Sequence, residues 1–431
     1  MGTRCKRAPR TTADRPCAEA TEAFASSRLL DLLRVPRAAE RYGETESRFE
    51  ARLARVWVVF VLVAAAAGFG AHLAAGTSPI GALSIAVAIL VVTCPCAFGI
   101  ASPIAHELVL AGLRKRGMLV RSASFLERAA RVRRVVFDKT GTLTTGTLEL
   151  EDRAAITALE LADQRALYEL AARSSHPKSA AILQAIPQAA QGLRRSPNGT
   201  NVEEIEGKGV VGTFDGHTYR LGNPTWLGAT GCDVAFARDD RLLAELSTIE
   251  VLRADASAEV RQLASDGVEA WIATGDTRER ALDVARKCGV DAQRVRASCS
   301  PEDKAELIRE LDRDDTLMIG DGMNDGLAIR AASASGTLAV GRTFLAARSD
   351  FFLLSAGLGP VRAGLVAART LRRTLRGNLV WAFTYNAIAL GLSYAGWMSP
   401  LLAAVLMPIS SIVSIALVLR ALGRKGSPWK S

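Results

Sequence analysis

At 431 residues the chain is long enough for two or three domains, and its 49% apolar share is too unevenly spread for a uniform soluble protein. The formal charge of +10 would suit nucleic acid, but the basic residues gather at the ends of apolar runs, which argues against that partner. Seven cysteines, an odd count, argue against a disulfide framework.

Residues 1–27 are Ala- and Arg-rich and read as disordered; 28–55 form a charged approach to the first apolar run. The basic, apolar, small-residue order of a cleaved signal peptide is absent. Apolar runs cover 56–75, 80–113 and 379–419, and a bilayer crossing takes about 20 such residues. About four helical spans are expected, as two hairpins flanking a mixed, charged region at 114–376. Arg52 and Arg55 precede the first span, and Arg114, Lys115 and Arg116 follow the second. Arg369, Arg372, Arg373 and Arg376 precede the third, while Arg420, Arg424 and Lys425 follow the last. The short connections Ala75 to Pro79 and Tyr394 to Pro400 hold neither Lys nor Arg. Positive residues stay inside, so both termini and the large charged region are expected in the cytosol, in a bacterial-type inner or plasma membrane. Membrane lipid is then the expected surrounding of the spans.

The second run contains Thr93-Cys94-Pro95-Cys96-Ala97. Pro95 lacks an N–H and its ring crowds the preceding turn, so the helix must kink or unwind there. Broken backbone at membrane depth is tolerated where it lines a cavity or faces protein. Two thiolates in lipid would be costly without a cation, and soft sulfur suits Cu(I), zinc or cadmium. Two neutral buried cysteines beside a kink are the plainer alternative. The other five, Cys5, Cys17, Cys232, Cys288 and Cys299, read as small buried or solvated residues.

Beyond the membrane boundary, Val135-Val136-Phe137-Asp138-Lys139-Thr140-Gly141-Thr142 is an apolar β-branched run that ends on a carboxylate and breaks into a turn. This predicts a parallel strand delivering Asp138 at its C-terminal end, where open α/β sheets put their chemistry. Trp271-Ile272-Ala273-Thr274-Gly275-Asp276 and Thr316-Leu317-Met318-Ile319-Gly320-Asp321-Gly322-Met323-Asn324-Asp325 repeat the pattern. Pro301-Glu302-Asp303-Lys304 opens a helix, with proline first and acids in the first turn. Strand ends lie side by side in a parallel sheet, so Asp138, Thr274, Lys304, Asp321 and Asp325 are expected to converge. A carboxylate can attack a phosphoryl group. Asp138, Asp321 and Asp325 suit Mg²⁺, an oxygen-seeking ion. Lys304 suits the transferring phosphoryl oxygens, and Thr274 a hydrogen bond to them.

The set DKTGT, TGD, PEDK and GDGMND, downstream of Cys-Pro-Cys, resembles the heavy-metal-transporting branch of the P-type ATPases. That resemblance implies a haloacid-dehalogenase-like α/β cytosolic domain, an α+β nucleotide-binding insertion, and α-helical transmembrane hairpins. It implies ATP and Mg²⁺ as cofactors, an aspartyl-phosphate on Asp138, and catalytic roles for Lys139, Thr140, Thr274, Gly275, Asp276, Lys304 and Asn324. Tyr385-Asn386 and Met407-Pro408-Ile409-Ser410-Ser411 are similar to the patterns of the Cu(I) subgroup. They imply a transported-ion set of Cys94, Cys96, Tyr385, Asn386, Met407 and Ser411, with thioether sulfur suited to a soft monovalent ion. Residues 377–419 hold no Asp, Glu or Lys of the kind zinc and cadmium pumps use. Ser174-Ser175-His176-Pro177 resembles the element whose histidine approaches adenine. Gly207-Lys208-Gly209 and Gly222-Asn223 resemble the glycine turn and Gly-Asn pair, which makes His176, Gly207, Gly209 and Asn223 the implied nucleotide contacts. Ala171 and Ser175 depart from the family, which often has Glu at both places.

The domain order expected is a cytosolic segment at 1–50, a hairpin with the metal site at 51–113, and the first part of the phosphorylation domain at 114–145. The nucleotide-binding domain follows at 146–250, the second part of the phosphorylation domain at 251–355, a stalk and hairpin at 356–420, and a cytosolic tail at 421–431. No Thr-Gly-Glu occurs, and Gly43-Glu44-Thr45 has the wrong order, so the actuator domain of the family is expected to be missing. A Cu(I) pump from a split or shortened gene, fed by a metallochaperone and completed by a separate actuator chain, is one reading. The alternatives are a zinc or cadmium pump, or a membrane-bound ATP-binding or phosphotransfer remnant that does not transport.

Overall fold

The computed structural model describes residues 38–93, 96–122, 124–187, 202–320, 325–338 and 349–423, with backbone alone for 38–55 and 96–99. Helix α1 (Ala38–Ala74) turns into α2 (Pro79–Val92), and α3 (Cys96–Lys115) follows. Ser78 caps α2 by accepting from the Gly81 amide, with Pro79 at its first turn. The chain then forms β1 (Met118–Val120), α4 (Phe125–Ala129), β2 (Arg134–Asp138) and β3 (Thr144–Leu150). An insertion follows: α5 (Ala154–Thr157), α6 (Leu161–Ala171), α7 (Pro177–Ala185), β4 (Val202–Ile205), β5 (Gly209–Phe214), β6 (His217–Gly222), β7 (Val234–Arg238) and β8 (Arg241–Leu246). Strand β9 (Thr248–Leu252) leads back. Next come α8 (Ala256–Ser265), β10 (Glu269–Ala273), α9 (Arg278–Cys288), β11 (Val295–Arg296), α10 (Pro301–Leu311) and β12 (Thr316–Gly320). The chain closes with α11 (Gly326–Ala331), β13 (Ala334–Leu338), β14 (Phe351–Leu353), α12 (Gly359–Tyr394) and α13 (Pro400–Leu422).

Among the described residues the main sheet has the order β1-β14-β13-β12-β2-β10-β11. Its strands run parallel except for the β1–β14 edge pair. Strand β2 lies between β10 and β12, with Asp138 opposite Ala273 and Phe137 opposite Ile319. A central parallel strand is covered on both faces, which is why Val135, Val136 and Phe137 are all apolar and fully buried. The insertion builds its own antiparallel sheet, β4-β5-β6-β7-β8, and its own core around Leu167, Leu170, Ile182, Tyr219 and Phe236. It joins the main sheet through the antiparallel pair β3–β9.

The first core is continuous from the sheet into the helices. Val135 and Phe137 share it with Ala101, Val109 and Leu113 of α3, Leu365 and Leu371 of α12, and Val418 and Leu422 of α13. Helix α12 has 36 residues, about 54 Å at 1.5 Å per residue. Its first half packs on the sheet, and its second half exposes Val380, Phe383 and Ile388. Among the described residues two helical stretches are long and apolar enough to cross a membrane, Val56–Ala74 and Pro400–Leu422. Their outward faces, including Val58, Phe60, Val63, Leu401, Val405 and Ile412, are a band of exposed apolar surface that water would not tolerate. The other two expected spans take different forms. The run at 80–113 is divided between α2, only 14 residues long, and α3, and the stretch expected as the third span forms the far half of the longer α12; neither is among the two span-length stretches. The first division falls where the sequence carries Pro95, and in the second the stalk and the apolar stretch form one helix.

Candidate active site and ion path

Asp138 ends β2 and is 6% exposed. Lys304, one turn into α10, donates from Nζ to Asp138 Oδ1 at 2.6 Å and to Asp325 Oδ1 at 2.8 Å. Helix α10 is aimed by a capping box: Ser300 Oγ accepts from the Asp303 amide, while Asp303 Oδ2 accepts from the Ser300 amide. Asp325 fits because Gly320 has no side chain; a Cβ there would lie 2.3 Å from Asp325 Oδ2. All three charged groups are buried. Burial works against the Lys304 charge, but the two carboxylates outweigh it and hold the ammonium above its ordinary value.

Lys139 points elsewhere. Its buried Nζ donates to Glu250 Oε1 and to Asp276 Oδ2, both at 2.6 Å. Glu250 also accepts from Thr144 Oγ1 at 2.8 Å and from Thr140 Oγ1 at 3.5 Å. Thr274 stands at the end of β10 beside Asp138, buried, with its hydroxyl accepting from the Asp276 amide. Gly275 lies between them, next to the Cys299 carbonyl. Burial would raise the Asp276 carboxyl, yet the Lys139 hydrogen bond and the Thr277 amide hold it below the usual carboxylate range. Two charge clusters thus flank the turn after β2: Asp138–Lys304–Asp325 and Lys139–Glu250–Asp276. Asp321 and Asn324 lie outside the described residues.

Two residues of this region go unmentioned in the motif reading, Glu250 and Arg253. Arg253 is 7% exposed and spends its whole fork on backbone. Nε donates to the Thr142 carbonyl at 2.8 Å, Nη2 to Gly141 at 2.7 Å and Nη1 to Ala356 at 2.5 Å. It fixes the turn that follows Asp138. The available signal was Thr248-Ile249-Glu250-Val251-Leu252-Arg253, an apolar strand interrupted by charges that need partners when buried.

In the insertion, Gly209 pairs with Gly222 across β5 and β6. Gly209 has φ +145°, and a Cβ there would sit 2.2 Å from the Leu221 carbonyl. Close approach of two backbones therefore accounts for this glycine, while Gly207, with φ +74°, turns the hairpin ahead of it. Asn223 belongs to the same corner: its amide donates to the Lys208 carbonyl at 2.7 Å, and its Oδ1 accepts from Thr225. His176 sits apart as the exposed N-cap of α7, its Nδ1 accepting from the Lys178 amide at 3.2 Å. Asp233 ties this domain to the main sheet. It accepts from Arg280 of α9 at 2.6 Å and from the Thr248 amide at 2.8 Å, and lies 3.6 Å from Lys178 Nζ.

At membrane depth Cys94, Pro95 and the Cys96 side chain lie outside the described residues, but α2 ends at Val92 and α3 starts at Cys96. The Thr93 carbonyl accepts from the Trp57 indole of α1 at 3.1 Å, one group of the broken helix satisfied by a neighbour. Tyr385 of α12, Val91 of α2 and Leu406 of α13 all pack against one buried cluster that includes Val92 and Ala403, so these three helices share a core next to Thr93 and Met407 in the chain. The Tyr385 hydroxyl is buried with no hydrogen-bond partner among the described residues. Ser411 donates to the Met407 carbonyl at 3.2 Å, and Asn386 and Met407 are half-buried. No cluster of three or more His, Cys, Asp or Glu forms a ready metal cage among the described residues.

A haloacid dehalogenase-like hydrolase family model matches residues 132–333, which hold Asp138, Lys304 and Asp325. Over 427 residues the chain is 34% identical to the copper-exporting P-type ATPase of Mycobacterium tuberculosis, covering 94% of this chain and 55% of that protein. The chain is a P-type ATPase homologue. The nitrogen fixation protein FixI of Bradyrhizobium diazoefficiens is also 34% identical, over 94% of this P-type ATPase homologue and 54% of FixI. The chain spans about half the length of these relatives. The crystal structure of a zinc-transporting PIB-type ATPase in the E2.Pi state matches with a TM-score of 0.76 at 24% identity. That match covers 92% of this chain and 67% of the other, and is a likeness of fold.

Proposed function

We propose that this P-type ATPase homologue uses ATP to phosphorylate Asp138, and that the cycle drives a soft cation, Cu(I) foremost, out of the cytosol. The observation that carries it is the Asp138 carboxylate at a strand end, with Lys304 Nζ at 2.6 Å. An Asp138 oxygen attacks the γ-phosphorus, the bond to the bridging oxygen breaks, and ADP leaves with that electron pair. Lys304 stabilises charge on the transferring oxygens, with Thr274 as a neutral donor beside it. Carboxylates of Asp138, Asp321 and Asp325 are the oxygen donors Mg²⁺ takes; when bound, the ion neutralises phosphate charge. Lys139, locked by Glu250 and Asp276, holds the turn, and Thr140, Gly275 and, on its motif alone, Asn324 are assigned to the same chemistry. His176 and the corner of Gly207, Gly209 and Asn223 are assigned to the nucleotide.

For the ion, Cys94, Cys96 and Met407 are assigned as sulfur ligands, with Tyr385, Asn386 and Ser411 around them. The Tyr385 hydroxyl, buried with no partner among the described residues, supports this, because a buried donor needs an acceptor or a ligand nearby. The absence of Asp, Glu and Lys from 377–419 favours Cu(I) over zinc. The basic helix ends support a cytosolic position for the large domain. A metallochaperone for Cu(I) delivery and an actuator domain acting on phosphorylated Asp138 are the partners such a cycle needs.

Incubation with γ-labelled ATP should give an acid-stable, hydroxylamine-sensitive label that Asp138→Asn abolishes; label persisting in that variant would sink the assignment. Under reducing conditions Cu(I) should outcompete Zn²⁺, and Cys94→Ser/Cys96→Ser should remove the Cu(I) binding. Tighter Zn²⁺ binding would overturn the metal choice alone.

A further inference from the structure

At the end of the main sheet opposite Asp138, arginines crowd a groove of about 420 Å³. Arg131 and Arg133 come from the turn ahead of β2, and Arg369, Arg372, Arg373 and Arg376 from α12. Arg369 is committed to backbone, donating to the Asp266 and Val132 carbonyls at 3.0 and 2.8 Å. The remaining five have no acidic partner within ion-pair distance among the described residues. Asp266, on the groove wall, lies 3.8 Å from Arg362 Nη1. Glu127 is the acid that acts on Arg372, at a distance beyond an ion pair. Burial, together with Arg376 and Arg131, pushes the Arg372 guanidinium below its ordinary value, the mark of a cation lacking an anion.

Place decides which anion fits. Arg376 lies four residues, about 6 Å of helix rise, before Val380, where α12 begins to expose apolar side chains. Trp381 and Phe383 follow on the exposed surface, and Trp is a residue of membrane interfaces. The groove therefore opens at headgroup level. Span orientation accounts for arginines on α12, but not for Arg131 and Arg133, which the turn before β2 supplies. Guanidinium forks match phosphate oxygens geometrically, and the volume is that of a small-molecule site.

We infer that this groove binds the phosphate headgroup of an anionic membrane phospholipid, seated between the turn before β2 and the base of α12. The inference rests on the membrane reading above but not on the choice of transported ion.

The test is native mass spectrometry of the full chain in detergent, titrated with phosphatidylglycerol and, separately, phosphatidylcholine. Phosphatidylglycerol should be retained in preference, and Arg131→Gln/Arg372→Gln/Arg373→Gln should weaken it about 100-fold, from the usual contribution of each arginine near an anionic surface. Arg241→Gln/Arg286→Gln/Arg330→Gln, the same charge change on exposed positions elsewhere, should leave retention within about twofold. If the triple glutamine variant fails to fold, the triple lysine variant serves: it keeps the charge and should still lose part of the retention, because the forks are gone. Equal retention of both lipids, or no loss in either groove variant, overturns the proposal. Displacement by inorganic phosphate at matching concentration would show a free-anion site instead, and displacement by polyglutamate an acidic-peptide site; either overturns the lipid assignment. Loss of lipid preference with Asp138 labelling intact would leave the pump reading standing.

Discussion

Arg253 offers the most direct test of how the turn after Asp138 is held. It donates to the carbonyls of Gly141 and Thr142, both buried, and of Ala356, an exposed residue. A buried carbonyl left without a donor costs about 1–3 kcal/mol. Arg253→Met strands the two buried ones, while water can serve Ala356, and the turn should lose about 3–5 kcal/mol of local stability. Arg253→Lys keeps the charge but can serve only one carbonyl, for a loss of about 2 kcal/mol. At about 1.4 kcal/mol per decade these become opening increases of about 10²–10³-fold and about 30-fold. Hydrogen exchange read by mass spectrometry on peptides covering 139–145 measures them in the full chain. Exchange in Arg253→Met within twofold of the unmodified chain, or equal in Met and Lys variants, would refute the role given to the guanidinium.

Lys304→Met leaves Asp138 and Asp325 facing each other without their cation, and two close carboxylates cannot both stay ionised. A protonated-carboxyl infrared band should appear near neutral pH and vanish in Lys304→Met/Asp325→Asn; its absence from the single variant sinks the pairing. Asp233 is held below the usual carboxylate range: burial raises it, but the Thr248 hydrogen bonds, Arg280 and Lys178 outweigh that. A depressed folded pKa gives stability that is present above the unfolded value of about 4 and lost as pH falls through the folded one. Asp233→Asn should therefore lower Tm at neutral pH and flatten the acid limb below about pH 4; an unchanged acid limb would contradict it. Tyr385→Phe removes a hydroxyl that has no partner among the described residues, so stability should hold or rise slightly while Cu(I) affinity falls about tenfold. Lowered stability with full Cu(I) affinity would show that the hydroxyl is bonded and unconnected to the ion.

Much of the sheet was legible because its strands are short apolar runs that end on Asp or Thr-Gly-Asp, a pattern few other contexts produce. The convergence of Asp138, Lys304 and Asp325 followed from parallel topology alone. What sequence spacing could not reveal was direction. Lys139 adjoins Asp138 in the chain, yet its side chain crosses to Glu250 and Asp276, because a strand end that turns sharply sends neighbouring side chains apart. Arg253 and Asp233 were equally hidden, since each acts through backbone or cross-domain partners that a linear motif does not record. Gly209 shows the reverse: a glycine that looks made for a ligand is required by its own partner strand. The apolar runs were legible as composition, but the helix bounds were not: two stretches have span length, the run at 80–113 is divided between α2 and α3, and another merges with the stalk in α12.

The position of β2 has a consequence for how the chain acquires its shape. The strand is made early, yet its neighbours begin only at Glu269 and Thr316, on the far side of the whole insertion. The insertion's pairings are mostly between strands adjacent in sequence, so it can settle first, while Val135–Phe137 wait as an unpaired apolar edge. Pulse-labelled exchange during refolding should protect β5 to β8 before β2. The strand that delivers the nucleophile thus waits on distant partners, and in that interval it is exposed to meeting another copy.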